Sequence, residues 1–178
     1  REWVDAGIEK PYLVFLHASS KERKCWHNAE WVDAARLAQH AGYRVVLPQG
    51  NLTERVQAQA LASLCSNIQV LPCMNLNGLA GLLSQAAGVI GIDTGLAHLA
   101  AALGTPATTL YFTSSPRLAG ARGECQLSLT ASQGSESGEC LDTSMGGAPL
   151  RFLNKLDAAS VWECLLEQIA SARTNPDV

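Results

Sequence analysis

Short apolar runs alternate with stretches of about ten residues whose apolar side chains recur at helical spacing, and this alternation restricts the fold more than any other feature. Tyr12–Leu16 is an apolar run ending at His17 and reads as a buried strand. Asn28–Ala41 carries Trp31, Ala34, Ala35, Leu37, Ala38 and Ala41 at helical spacing, with Gly42 where a C-cap belongs. Arg44–Leu47 is the next strand, stopped by Pro48, and a helix over Glu54–Leu64 follows with Thr53 as its expected N-cap. Ile68–Leu71 and Gly88–Ile92 read as strands around a helix over Leu76–Ala86 capped by Asn75. Thr94–Leu103 reads as a helix, Thr108–Tyr111 and Gln126–Leu129 as strands, and Ala158–Ala172 as a last helix capped by Asp157. Val161, Leu165 and Ile169 form the apolar face of that helix, with Trp162 and Leu166 beside it. Such an order implies an α/β fold with a parallel sheet covered on both faces. In sheets of this kind ligands bind outside the C-terminal ends of the strands. The loops to inspect are therefore His17–Trp26, Pro48–Thr53, Pro72–Asn75, Asp93–Gly95 and Phe112–Gly123.

Composition narrows the function. With 178 residues, 47% hydrophobic and 16% charged, the chain has enough apolar material for one domain with a real core. A net charge of −3 does not suit a general nucleic-acid binder, so no nucleic-acid partner is expected. No apolar run reaches the roughly 18–20 residues of a membrane-spanning helix. The first residues, Arg1-Glu2-Trp3-Val4-Asp5, carry no secretory signal and no initiator Met, as expected of a domain excised or processed from a longer chain. Cys25, Cys65, Cys73, Cys125, Cys140 and Cys164 make no C-x-x-C pair and are expected to be mostly reduced thiols, with Cys125–Cys140 the one pairing weighed. Thr130–Pro149 is rich in Gly, Ser and Thr and reads as a loop, an insertion or an element without a clear signature.

Two constellations carry chemistry. In His17-Ala18-Ser19-Ser20-Lys21-Glu22-Arg23-Lys24-Cys25-Trp26, hydroxyls directly after a strand can donate to phosphate oxygens and a lysine supplies a compact positive charge. Taken alone, the same stretch is more often a solvated charged turn. In Gly88-Val89-Ile90-Gly91-Ile92-Asp93-Thr94-Gly95-Leu96-Ala97-His98, a strand turns sharply into a helix whose first N–H groups can receive an anion, and Gly95 lets the backbone come close to it. The alternative is a simple helix cap, with His98 only packing. Neither stretch is a dinucleotide fingerprint or a Walker loop. Glu54 is placed to accept ribose hydroxyls, though a first-turn Glu more often serves the helix dipole. Met74 can face a purine ring or sit in the core. The chain shows no Ser-His-Asp set and no metal cluster.

Together these stretches resemble the ADP-heptose–lipopolysaccharide heptosyltransferases, a family of GT-B glycosyltransferases. The resemblance rests on Phe15-Leu16-His17-Ala18-Ser19-Ser20, Lys24-Cys25-Trp26, Leu47-Pro48-Gln49-Gly50, Leu71-Pro72-Cys73-Met74 and above all Asp93-Thr94-Gly95-Leu96-Ala97-His98-Leu99-Ala100-Ala101-Ala102-Leu103. It covers about Tyr12–Gly123 and looks most like type I. It implies a Rossmann-like three-layer sheet, the C-terminal, donor-binding half of a GT-B fold, with the N-terminal acceptor domain absent from residues 1–178. It implies that Ser19 and Ser20 contact the donor phosphates and that Lys24 neutralises them. Glu54 would bind the ribose, Met74 the adenine and Asp93 the heptose, while Thr94 and Gly95 meet the phosphates and His98 is the motif histidine. The implied reaction passes heptose from ADP-heptose to a Kdo sugar of the lipid A core with inversion. Its base belongs to the N-terminal domain, and no metal or other cofactor is called for. The place of action would be the cytoplasmic face of the inner membrane. The rivals are another GT-B transferase or UDP-sugar epimerase domain, and a non-catalytic nucleotide-binding module. Two departures stand out: Phe112-Thr113-Ser114 replaces the family's usual Gly-Pro-Thr, and Thr130–Pro149 is longer than in type I enzymes.

Overall fold

The computed structural model describes residues 8–18, 25–113, 116, 120–123, 125–131 and 148–174. Its strands are β1 (Tyr12–Leu16), β2 (Arg44–Leu47), β3 (Ile68–Val70), β4 (Gly88–Ile92), β5 (Ala107–Tyr111), β6 (Gln126–Ala131) and β7 (Leu150–Leu153). The helices are α1 (Asn28–His40), α2 (Leu52–Leu64), α3 (Leu76–Ser84), α4 (Gly95–Ala102) and α5 (Ala158–Thr174). The strands form one seven-stranded sheet in the order β3-β2-β1-β4-β5-β6-β7. Every pairing is parallel. The expected doubly covered parallel sheet is what the chain forms, and the order is that of a Rossmann-like fold.

Side-chain alternation along β1 divides the core. Leu13 and Phe15 point to one face, with Trp31 and Ala34 of α1, Leu61 of α2 and Val161 and Leu165 of α5. Tyr12, Val14 and Leu16 point to the other, with Leu82 and Leu83 of α3 and Ala97 and Ala100 of α4. Both faces of β1 are dry, so its five residues are all apolar and all buried.

Several boundaries differ from those expected. Helix α2 begins at Leu52 with Asn51 as N-cap, not at Glu54 after Thr53, because the Asn51 side chain accepts the Glu54 N–H at 3.0 Å. Strand β6 runs on to Ala131, so Thr130 belongs to the sheet rather than to the loop. Strand β7 had no periodic signal. It is an edge strand of four residues, and its Arg151 pairs with Glu167 of α5 at 2.9 Å. Ala41 and Leu166, expected on apolar faces, are exposed. The caps at Asn75 and Asp157 are as expected, each accepting a backbone N–H at 2.9 Å. Gly42 ends the first helical segment with φ +82°, a conformation that favours glycine.

The two ends of the domain are stitched together beside α1. The Trp26 indole N–H donates to the Leu156 carbonyl at 2.7 Å, and its ring meets Trp31 edge-on with centroids 4.9 Å apart. The Glu30 carboxylate accepts the Ala158 N–H at 2.7 Å, capping α5 from a distant helix.

At the centre of the sheet, Gly91 of β4 lies opposite Leu16 of β1. A Cβ on Gly91 would come within 3.1 Å of the Leu16 side chain. The substitution Gly91→Val is therefore expected to destabilise the domain by about 1–3 kcal/mol through overpacking, read as a lowered urea midpoint.

Candidate functional site

Strand order reverses between β1 and β4. The chain leaves β1 towards β2 on one side and leaves β4 towards β5 on the other, so the C-terminal edge between these two strands is the topological switch point, where sheets of this kind open a crevice for ligands. The loop after β1 contains Ser19, Ser20 and Lys24, which lie outside the described residues. Asp93, Thr94 and Gly95 follow β4 directly, beside the end of β1.

Thr94 is the N-cap of α4 in position, but its side chain makes no capping hydrogen bond. Its Oγ1 is buried without a hydrogen-bond partner among the described residues. The first N–H groups of any helix lack intrahelical partners, and here the neighbouring hydroxyl does not take one. Gly95 sits in open space: an added Cβ would meet nothing within 4 Å, and its φ is not in the left-handed region. Among the described residues nothing crowds this position. The Asp93 N–H donates to the Leu110 carbonyl at 3.3 Å, which fixes the turn against β5. His98, one turn along α4, is exposed.

Glu54 takes part in the start of its own helix. It is the third helical residue after the Asn51 cap, and its carboxylate accepts from the Gly50 N–H at 2.7 Å and from the Asn51 side-chain amide at 2.8 Å. This reciprocal arrangement resembles a capping box. A carboxylate has about four acceptor sites, so half-buried Glu54 keeps capacity for further donors. The Asn-x-x-Glu spacing of 51–54 is the signal that sequence reading passed over. Met74 follows β3, half-buried against the core face of α3 and α4. Gly78 makes room for it, since a Cβ there would lie 3.1 Å from the Met74 terminal methyl. Between the ends of β2 and β3 lies an open cleft of about 510 Å³, lined by Gln49, Asn51, Arg55, Leu71 and Pro72 among others.

Sequence reading gave no role to His17. It is buried and its Nε2 lies 3.3 Å from the Glu54 carbonyl oxygen. Burial lowers its pKa from the ordinary 6.5, against the opposing pull of the Glu54 carbonyl and carboxylate. On the other side of the crevice the buried Tyr111 hydroxyl accepts the Ala121 N–H at 3.0 Å and is held protonated by burial. Tyr111 directly precedes Phe112-Thr113-Ser114, which stands where the resemblance leads one to expect Gly-Pro-Thr, and Ser114 lies outside the described residues. Among the described residues no group of three or more His, Cys, Asp or Glu side chains is placed to hold a metal ion. Cys65, Cys73, Cys125 and Cys164 are free thiols, and Cys140 lies outside the described residues.

The strand order and the helices on both faces define a Rossmann-like α/β domain. The chain belongs to glycosyltransferase family 9, the heptosyltransferase family, whose model matches residues 2–142. It is 41% identical over 126 residues to lipopolysaccharide heptosyltransferase 1 of Pseudomonas aeruginosa, covering 71% of this chain and 36% of that protein. The Escherichia coli K12 protein of the same name is 40% identical over 124 residues, covering 70% of this chain and 38% of the relative. This chain thus spans a little over a third of the length of these curated relatives. Among solved structures, E. coli heptosyltransferase WaaC with ADP superposes with a TM-score of 0.72 at 34% identity, over 88% of this chain and 44% of that one. The same enzyme with ADP-2-deoxy-2-fluoro heptose gives a TM-score of 0.60 at 38% identity, over 66% of this chain and 36% of that one. The fold is accordingly that of the GT-B glycosyltransferases.

Two outcomes are expected. Gly95→Ala leaves folding stability within about 0.5 kcal/mol in urea, so any loss of anion affinity in that variant reports the ligand and not the fold. The second concerns pH. The unfolded chain protonates His17 near pH 6.5, while the folded pKa lies lower. The native state then binds fewer protons, and stability is lost as pH falls from about 6.5 through the folded pKa. Urea midpoints measured from pH 8 to 5 should show this decline reduced in His17→Gln.

Proposed function

We propose that this chain is the donor-binding, C-terminal half of a lipopolysaccharide inner-core heptosyltransferase, most like type I. In this reading residues 1–178 form a single nucleotide-sugar domain, and an N-terminal acceptor domain of the same protein completes the enzyme. The donor is ADP-heptose and the acceptor a Kdo sugar of the lipid A core, met at the cytoplasmic face of the inner membrane. Among the described residues no helix is long and apolar enough to cross a membrane.

The observation that carries the reading is the turn Asp93-Thr94-Gly95 at the switch point. There, among the described residues, a buried hydroxyl without a hydrogen-bond partner and a glycine with nothing within 4 Å of an added Cβ sit at a helix start. A diphosphate is the ligand such a start favours, because dipole and free N–H groups point at it. Similarity to proteins solved with ADP and with an ADP-heptose analogue supports the same donor class.

In the reaction an acceptor hydroxyl oxygen attacks the anomeric carbon from the face opposite the diphosphate. The new carbon–oxygen bond forms as the bond to the diphosphate oxygen breaks, inverting the centre. ADP leaves with the electron pair, and the hydroxyl proton passes to a base supplied by the N-terminal domain. Lys24, Ser19, Ser20 and the start of α4 stabilise the charge that builds on the departing diphosphate. Glu54 takes the ribose hydroxyls, Met74 faces the adenine, and Asp93 orients the heptose with His98 beside it.

Titration of ADP and of UDP into the chain tests the reading. ADP is expected to bind saturably and more tightly than UDP, with Lys24→Ala and Glu54→Ala each weakening ADP by roughly tenfold or more, the worth of a charge-assisted hydrogen bond. Absence of saturable binding, preference for UDP, or indifference to both substitutions would overturn it.

A further inference from the structure

His17 closes β1 and is only 5% exposed, yet it is polar and makes a bond to a helix 37 residues away. A carbonyl oxygen only accepts, so the 3.3 Å contact with Glu54 is a hydrogen bond in the tautomer that carries the ring proton on Nε2. Nδ1 then carries the lone pair of a neutral imidazole, and it is buried without a partner among the described residues. A buried histidine with one ring nitrogen unsatisfied is expensive to keep as mere filling. The helix it touches explains what is gained. In α2 the buried residues are Ala58 and Leu61, both past the first turn. Leu52 is 75% exposed and Val56 58% exposed, so no apolar packing locates the start of this helix. Its position depends on polar contacts. Asn51 caps it, the Gly50 N–H and the Asn51 amide aim the Glu54 carboxylate, and His17 ties the same residue's main chain to the centre of the sheet.

We infer that His17 is a positioning residue, which through the Glu54 carbonyl sets where the Glu54 carboxylate stands relative to the ribose diol of a bound nucleotide. The inference rests on the proposed ribose role of Glu54. Hydroxyl-to-oxygen hydrogen bonds span only about 2.5–3.0 Å, so a small slide of the helix start is enough to uncouple carboxylate from diol. Phosphate contacts at α4, on the far side of β1, do not depend on this tie.

The test uses ADP and 2′,3′-dideoxy-ADP, titrated calorimetrically into the full chain. The wild type is expected to bind ADP about tenfold or more tightly than the dideoxy compound. His17→Phe keeps a ring of similar size without the N–H and should collapse that ratio to near one, with dideoxy-ADP affinity unchanged. His17→Gln carries an amide N–H that reaches as far as Nε2 and should restore the ratio. If His17→Phe does not fold, as judged by circular dichroism, His17→Leu takes its place. A ratio retained in the apolar variant, or an equal loss for both nucleotides, overturns the positioning role while leaving the ribose reading intact. If the wild type fails to distinguish the two nucleotides, or Glu54→Gln leaves the ratio unchanged, the ribose reading itself falls and this inference with it.

Discussion

The parallel pairing of β1 with β4 is the constraint from which the rest of the molecule follows. Leu16 lies against Gly91 at the C-terminal end of that pair, where an added Cβ would press on the Leu16 side chain at 3.1 Å. Because the chain departs from β1 and β4 in opposite directions, their helices occupy opposite faces and a crevice opens between the two turns. Among the described residues, Asp93, Thr94 and Gly95 follow one of these two strands directly and His17 follows the other. The apolar division of β1 into two buried faces supplies the rigidity on which the loops are mounted.

Electrostatics in the crevice come from backbone and neutral groups as much as from formal charges. The helix start after Thr94 offers partial positive charge without a counterion to displace, and Tyr111 and His17 are both kept uncharged by burial. Glu54 brings a full negative charge to the opposite side, steadied by two N–H donors. Such polarity suits a ligand that presents hydroxyls at one end and phosphates at the other.

Most of the sheet was legible because strands buried on both faces are continuous apolar runs, and because Gly42, Asn75 and Asp157 punctuate helices in the expected places. The start of α2 was misplaced because Thr53 and Asn51 are both good caps. Only the reach of the Asn51 side chain to the Glu54 N–H decides between them. Strand β7 was not legible because a four-residue edge strand containing an arginine has no periodicity, and its pairing with β6 is a matter of tertiary contact. In the site, Asp93–His98 announced itself through motif and helix-start chemistry together. The placement of Glu54 was visible, but not its tie to His17, since no local pattern predicts a bond spanning 37 residues.

The bond from Trp26 to Leu156 has a consequence for how the domain can be divided. The segment that leaves the β1 loop and the segment that enters the last helix are fastened to each other by an indole N–H and by a carboxylate cap from Glu30. The terminal helix is thus fastened to the segment that opens α1, although it lies at the other end of the sequence. A fragment ending before Leu156 would lose both ties and leave the Trp26 indole and the Glu30 carboxylate without these two partners.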